Sequence, residues 1–542
     1  MNLSSNTLIL SIQLCFLLCF IGVVMVNGLE WNGQIKIENS VTIPVGENLV
    51  IKEGAVVSFA PTTSASGQIL IRVEGRLNIE SGVELKSDDI LNNQNGTNDQ
   101  WGFLFPIGTQ QGSLTLTNSK IRKSSPLSSG VATFSFEGGD NSTGIVLDNC
   151  EVDGGFIGIH VSSNIVISIK SSSFSNMISA VQTDKTSFPK MTFFDSKFTG
   201  MGIAIDDRGI SSNGDLVYRT ISLTDCKFKS VSRAISASCK VVVSSNVFQA
   251  FRGAITAPFV HCTNSIFDNR QYIVSALGLY ISNIPQGYKG EVFIKDSTFS
   301  EITGSVFGSQ GDVVDFTFVN NIVRNCATSA GLKTRHSLIE MAAITGSVSI
   351  TKNDFVGNQI VAGSSAILSL HQLQSLAYIT HNNFHDNNIN TCTVKMSNVP
   401  DALGVLTFSQ NTFTNYFGSK SEIATEFCYE GPLGKKINIA YNYWGTDPTS
   451  MDATQMYDMI ISKLKPLDAL EFTPYYLTSN VDDQSSTNLG GLHKPIKPNS
   501  SIIATVIGGL FGGITLVLFI SMIIAVTVIL IRRRRKGYES LI

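Results

Sequence analysis

The chain has 542 residues, 43% of them hydrophobic and 15% charged, with a formal net charge of −3. That apolar content supports a large core and excludes a chain disordered throughout. Because Arg532 to Lys536 hold five of the 39 basic residues, the rest of the chain is more acidic still, which argues against a nucleic-acid partner.

Residues 1–28 carry an apolar core from Leu8 to Val26 and small residues at Val26 and Gly28, the layout of a secretory signal peptide. Sequons at Asn95 and Asn141 fall in expected loops and are the candidate glycosylation sites, whereas Asn499 sits almost at the bilayer. Removing the signal leaves seven of nine cysteines, an odd number, so at least one is free or pairs between chains.

A repeat then dominates. Two apolar residues two apart are followed by a polar pair and an aromatic or aliphatic anchor, as in Ile221, Leu223, Asp225, Cys226 and Phe228. Thirteen anchors align, Ile121, Val152, Phe174, Phe198, Phe228, Phe248, Phe267, Phe299, Val323, Phe355, Phe384, Phe413 and Trp444, often with an Ala/Gly-aliphatic pair six and seven residues later. Residues two apart share one face of a strand, so each repeat reads as strands whose apolar side points into one core. Spacings of 19 to 32 residues mark a stack with one coil per repeat. At ~4.8 Å per coil this is a rod of roughly 60 Å or more. Hairpin dipeptides such as Asn-Gly are scarce, which disfavours an antiparallel sandwich. The long repeats before Phe228, Phe299 and Phe355 are where coils are free to differ, and function is expected there.

Two residues before the anchor stand Ser119, Cys150, Ser172, Ser196, Cys226, Asn246, Ser265, Ser297, Asn321, Asn353, Asn382, Asn411 and Asn442. Asn tolerates the left-handed backbone of tight turns, and stacked amides hydrogen-bond along a rod. Asn321, Asn353, Asn382, Asn411 and Asn442 therefore read as a structural ladder rather than a sugar-binding row.

Candidate chemistry is sparse. Gln182-Thr-Asp184 and, one coil later, Asp206-Asp207 put three carboxylates at one corner, where they could share general acid and base work. Acidic residues on a Ser/Asn-rich outer face ordinarily serve as solvated turns, so Asp184, Asp206 and Asp207 are kept for an alternative, catalytic reading only. Asp195 and Asp225 supply two oxygens where calcium takes roughly six to eight. His381 and His385 are four apart, but on a turn that spacing does not place them on one face. Without a Cys/His cluster of metal spacing, no metal and no cofactor is expected.

The rod should close with a cap over residues 445–477. Ala453, Met456, Tyr457, Ile460 and Leu464 recur at helical spacing, with Asp452 and Gln455 as a capping box, and Leu470 to Leu477 reads as a last returning strand. Apolar periodicity then stops, and residues 478–501 form a polar stalk. Residues 502–531 are uncharged and, as a helix, would reach ~45 Å against a hydrocarbon core of ~30 Å. The basic block that follows puts the tail, 532–542, in the cytoplasm. Gly508, Gly509, Gly512 and Gly513 form two overlapping GxxxG patterns that offer a homodimer contact.

Val41 to Phe59 and Val73 to Ile79 resemble the amino-terminal coils of right-handed parallel β-helix proteins of the pectin-lyase-like superfamily. Gln100-Trp-Gly-Phe103 is similar to their following Trp-Gly segment. Asn442-Tyr-Trp-Gly445 resembles the element that closes many secreted members of the carbohydrate-binding-and-hydrolase type. The resemblance covers about residues 35 to 480. It implies an all-β, right-handed, single-stranded parallel β-helix for residues 29–477, followed by one transmembrane α-helix. The superfamily includes polygalacturonases, whose Asn-Thr-Asp and Asp-Asp the Gln182–Asp184 and Asp206-Asp207 segments partly match. Their Gly-His-Gly and Arg-Ile-Lys elements are missing. Gly537-Tyr538-Glu-Ser-Leu541 is similar to the terminal sorting signal of lysosome-associated membrane glycoproteins, which implies adaptor proteins as partners of the tail.

The expected protein is a type I single-pass membrane glycoprotein of the cell surface or endolysosome. Its non-catalytic β-helix would bind glycans or cell-surface ligands. The alternative is a membrane-tethered polysaccharide-degrading enzyme.

Overall fold

The computed structural model describes residues 29–490 except 62–67, 89–99, 124–130, 139–142, 210–218, 271–275, 283, 285–288, 310–313, 329–336, 342–344, 362–364, 400–405, 418–423, 432–435, 446–452 and 485–488. Asn95, Asn141, residues 1–28 and residues 491–542, with Gly508, Gly509, Gly512, Gly513, Gly537, Tyr538 and Leu541, lie outside the described residues. Among those described, no helix is long and apolar enough to cross a membrane.

Each repeat forms one coil. Its first strand joins a sheet that holds twelve strands among the described residues, from Ser113–Thr117 and Gly144–Asp148 to Leu406–Ser409. A short anchor strand such as Ser173–Ser175 and a third strand such as Ser179–Thr183 follow in a larger sheet. In three consecutive coils these two fuse into ten-residue strands, Lys197–Asp206, Lys227–Ser236 and Val247–Thr256. Described strand pairs are parallel, the exception being Tyr475–Tyr476 against Leu489–Gly490. That exception brings a piece of the stretch read as stalk onto the rod. The architecture is an all-β stack of the parallel β-helix kind.

Register follows the anchors. Ile121, Val152, Phe174, Phe198, Phe228, Phe248, Phe267, Phe299, Val323, Phe355, Phe384 and Phe413 oppose one another in sequence along a single buried column. Phe198, Phe228, Phe248, Phe267 and Phe299 stack with ring centroids 4.6–4.9 Å apart. After Val323 the stack resumes through Phe355, Phe384, Phe413 and Trp444 at 4.7–4.9 Å. Burying each ring is worth about 1.5–3 kcal/mol, with about 0.5–1.5 kcal/mol more for each ring pair. The pair that follows an anchor, such as Ala204-Ile205 or Ala234-Ile235, is buried at both positions because it lies at an inside corner.

The corner before each anchor differs from the sequence reading. In all thirteen repeats the left-handed residue is three before the anchor, from Asn118 and Asn149 to Gln410 and Tyr441, with φ of 45–58°. The Ser, Cys or Asn that follows is not the residue that tolerates the turn. Its side chain points into the corner, because a left-handed residue between extended neighbours redirects the chain and swings the next side chain inward.

There the amides link coils. Asn321 Nδ2 donates to Asn353 Oδ1 (3.1 Å), Asn353 to Asn382 (2.9 Å), Asn382 to Asn411 (3.0 Å) and Asn411 to Asn442 (3.0 Å). Each Oδ1 also accepts the backbone N–H of the preceding coil's asparagine. Each Nδ2 also reaches a backbone carbonyl of the previous coil, as Asn382 does at Ile350. Buried turn groups that a strand ladder cannot reach are thereby satisfied.

The closing helix, Ala453–Ser462, is shorter than the apolar spacing predicts. Ile460 is buried but Tyr457 is exposed, and Leu464 belongs to a strand, Leu464–Lys465, laid parallel on Thr425–Glu430. Asp452 of the expected capping box lies outside the described residues. The expected return strand is split into Leu470–Glu471 and Tyr475–Tyr476. Cys392 and Cys428 form a disulfide across the last coils, while Cys150, Cys226, Cys239, Cys262 and Cys326 are free and buried.

Asn382→Ala should lower stability by about 3 kcal/mol or more, since it strands donors and acceptors in two neighbouring coils. Asn383→Ala, one residue on and facing outward, gives up one half-buried hydrogen bond to Asp354 and should cost only about 0.5–1.5 kcal/mol. Denaturant unfolding of the two variants measures the difference.

Candidate functional site

Along the third strand of each coil, residues that face outward form a column. Ser135, His160, Gln182, Asp206, Ser236, Thr256 and Tyr280 oppose one another on seven successive coils. The sequence reading missed Ser135 and His160, which carry no motif and meet only through register.

At its first four positions the column carries side-chain hydrogen bonds. Ser135 Oγ lies 3.4 Å from His160 Nδ1, and His160 Nε2 lies 3.1 Å from Asp184 Oδ1. The Ser162 hydroxyl donates to the other Asp184 oxygen at 2.5 Å. Partial burial pushes the Asp184 carboxyl up, but the Ser162 hydroxyl and His160 outweigh it and hold it below the usual carboxylate range. Gln182 Nε2 donates to Asp206 Oδ2 at 3.2 Å, and the Arg208 guanidinium donates to the same oxygen at 2.7 Å.

Asp207 is elsewhere. Adjacent residues of an extended strand face opposite ways, so with Asp206 outward Asp207 points into the rod, following Phe136, Val161 and Thr183 along an inward column. Its side chain is wholly buried. Arg219 NH2 donates to both carboxylate oxygens at 2.7 Å, Thr183 Oγ1 donates to Oδ1 at 3.0 Å and the Ser238 N–H donates to Oδ2 at 3.3 Å. Phe188 covers the guanidinium, with its ring centroid 4.9 Å from Cζ. Asp184 and Asp206 therefore share the outer face, and Asp207 is spent on an internal ion pair. With each oxygen accepting two hydrogen bonds, Asp207 has no spare site for a substrate proton. Arg219 stands twelve residues further along the sequence, where no periodicity announces it.

Remaining candidates are dispersed. His385 sits between Asp354 (2.9 Å) and Asp386 (2.8 Å), while His381 faces Asp482 at 3.3 Å, so the two rings have separate partners. Asp195 and Asp225 occupy left-handed corner positions. Among the described residues no three His, Cys, Asp or Glu groups are placed to hold a metal. Burial pushes the thiols of Cys226 and Cys262 up to about 11 and that of Cys326 up to about 12, which makes them poor nucleophiles. A second polar group on the same outer face joins Ser369, His371 and Ser397 through the two ring nitrogens at 2.9 and 2.7 Å. Burial holds the His371 imidazole below its usual range. The long loops before Phe228, Phe299 and Phe355 fall partly outside the described residues.

Taken together, these features define a solenoid of stacked parallel strands with a polar outer face and an internal ion pair. No protein-family model, curated protein or solved structure matches the chain.

Asp207→Ala should destabilise the protein by about 3–5 kcal/mol by leaving Arg219 buried and unpaired. Asp207→Leu combined with Arg219→Met should recover most of that loss. Thermal unfolding of the single and double variants checks both statements.

Proposed function

We propose that the chain is a type I single-pass membrane glycoprotein whose residues 29–477 form a right-handed parallel β-helix of the pectin-lyase-like kind. We assign the rod to binding or adhesion rather than catalysis. The observation that carries the reading is the outward column from Ser135 to Tyr280, which presents hydrogen-bonding side chains on seven successive coils. At about 4.8 Å per coil such a row suits an elongated ligand, such as a glycan chain, laid along the rod. Right-handed connection is what parallel strands joined by crossovers adopt in nearly every case.

The alternative enzyme needs carboxylates free to exchange protons. Asp184 lies half-exposed on the outer face, but Asp206 is buried and held by Gln182 and Arg208, and Asp207 is saturated inside the rod. The membrane assignment rests on the uncharged stretch 502–531 and the basic block after it, and the endolysosomal or cell-surface location on the Tyr538 signal.

A glycan, cell and matrix binding screen of the purified protein should find a retained ligand, and His160→Ala with Gln182→Ala should weaken that retention several-fold. Retention on no surface would remove the binding reading. Turnover of a uronic-acid polymer that Asp184→Asn abolishes would favour the enzyme instead. For the tail, Tyr538→Ala should move tagged protein from internal vesicles to the cell surface, and an unchanged distribution would remove the sorting assignment.

A further inference from the structure

A second amide chain runs beside the first and ends on a carboxyl group. Asn358 Nδ2 donates to Asn387 Oδ1 (2.8 Å), Asn387 to Asn415 (2.6 Å), and Asn415 to Glu426 Oε2 (2.7 Å). The Thr393 hydroxyl donates to that same oxygen at 2.6 Å. Glu426 is fully buried, and its other oxygen, Oε1, has no hydrogen-bond partner among the described residues.

The surroundings are those of the last complete coil. The Glu426 N–H donates to the Lys463 carbonyl at 3.0 Å, and Lys463 Nζ donates to the Trp444 carbonyl at 3.0 Å. Among the described residues, Lys463 is the charged side chain that acts on Glu426. On the strands packed against it, Lys395 and Glu430 pair with each other at 2.8 Å and Lys465 is exposed, all at outward positions. Strands Cys392–Ser397, Thr425–Glu430 and Leu464–Lys465 meet here, next to the disulfide and the closing helix.

We infer that Glu426 is a proton switch for the C-terminal end of the rod: protonated, it lets the last coil seal, and ionised, it loosens that coil. A neutral acid is tolerated in this setting, whereas an ionised carboxylate with one oxygen unpartnered is strongly penalised. Burial, the largest influence, raises the Glu426 carboxyl above its ordinary 4.5, against the pull of Thr393, Asn415 and Lys463. Burial likewise lowers the Lys463 ammonium, which blunts its value as a counter-charge. A carboxyl raised on folding binds its proton more tightly in the folded state. Stability is therefore fullest at and below the ordinary carboxyl range, falls as pH rises through the raised folded value, and is level above it. The end of the rod is tighter in an acidic compartment than at neutral pH. The switch does not depend on what the rod binds.

Hydrogen exchange of the full-length protein at about pH 5 and about pH 7.5, corrected for intrinsic rates, reads this directly. Protection in Cys392–Ser397 and Thr425–Glu430 should be several-fold higher at the lower pH, while Val166–Lys170 should not change. Glu426→Gln, which mimics the neutral acid, should hold high protection at both. Lys463→Met should keep the pH dependence and move it upward. Equal protection of the unaltered protein at the two pH values, or an undiminished pH dependence in Glu426→Gln, would overturn the proposal.

Discussion

The corner before each anchor is the constraint on which the rest depends. A stacked coil must turn inside a closed backbone tube, and the peptide groups at that turn are out of reach of the strand ladders on either side. One left-handed residue makes the turn, and the next residue's side chain is swung inward to bond the coils above and below. Leaving such groups unpaired would cost about 1–3 kcal/mol each, repeated at every coil. With that corner in place, the anchor that follows is aimed into the core, and the ring column can stack.

The same corner decides what the outside looks like. Because turn and anchor fix the phase of every strand, alternate residues of the third strand emerge in a straight outward column, and neighbours in sequence part company. Asp206 turns outward to Gln182 and Arg208, which bury it against the outer face, while Asp207 becomes a core residue in need of a cation. A rod built this way can vary its outer face more freely than its core, since the contacts that Ser135, His160 and Gln182 make between coils lie at a half-buried surface. It can vary its inner columns only by volume-matched or hydrogen-bonded replacement.

Much of this was legible in the residues. The apolar pair, the anchor and the later small-aliphatic pair repeat often enough to reveal stacked parallel strands and to name the inward column, because those positions are constrained at every coil. The small polar row was legible as a ladder, but its backbone role was misassigned by one residue: Lys352, His381, Gln410 and Tyr441 hold the left-handed turn without any compositional sign of it. Features confined to one to three coils were invisible. Asn358, Asn387 and Asn415 are too few to stand out, Glu426 reads as an ordinary strand acid, and Arg219 pairs with Asp207 from twelve residues away. Ser135 and His160 become neighbours only once register is known.

Backbone amide exchange at the corners tests the central claim most directly. The N–H groups of Asn321, Asn353, Asn382 and Asn411 lie in turns, where exchange is ordinarily fast, yet each donates to the side-chain oxygen of the next coil. If inward side chains hold the stack, these four amides should exchange as slowly as those of the buried strands around them. Exchange at the rate of exposed turns would contradict the account.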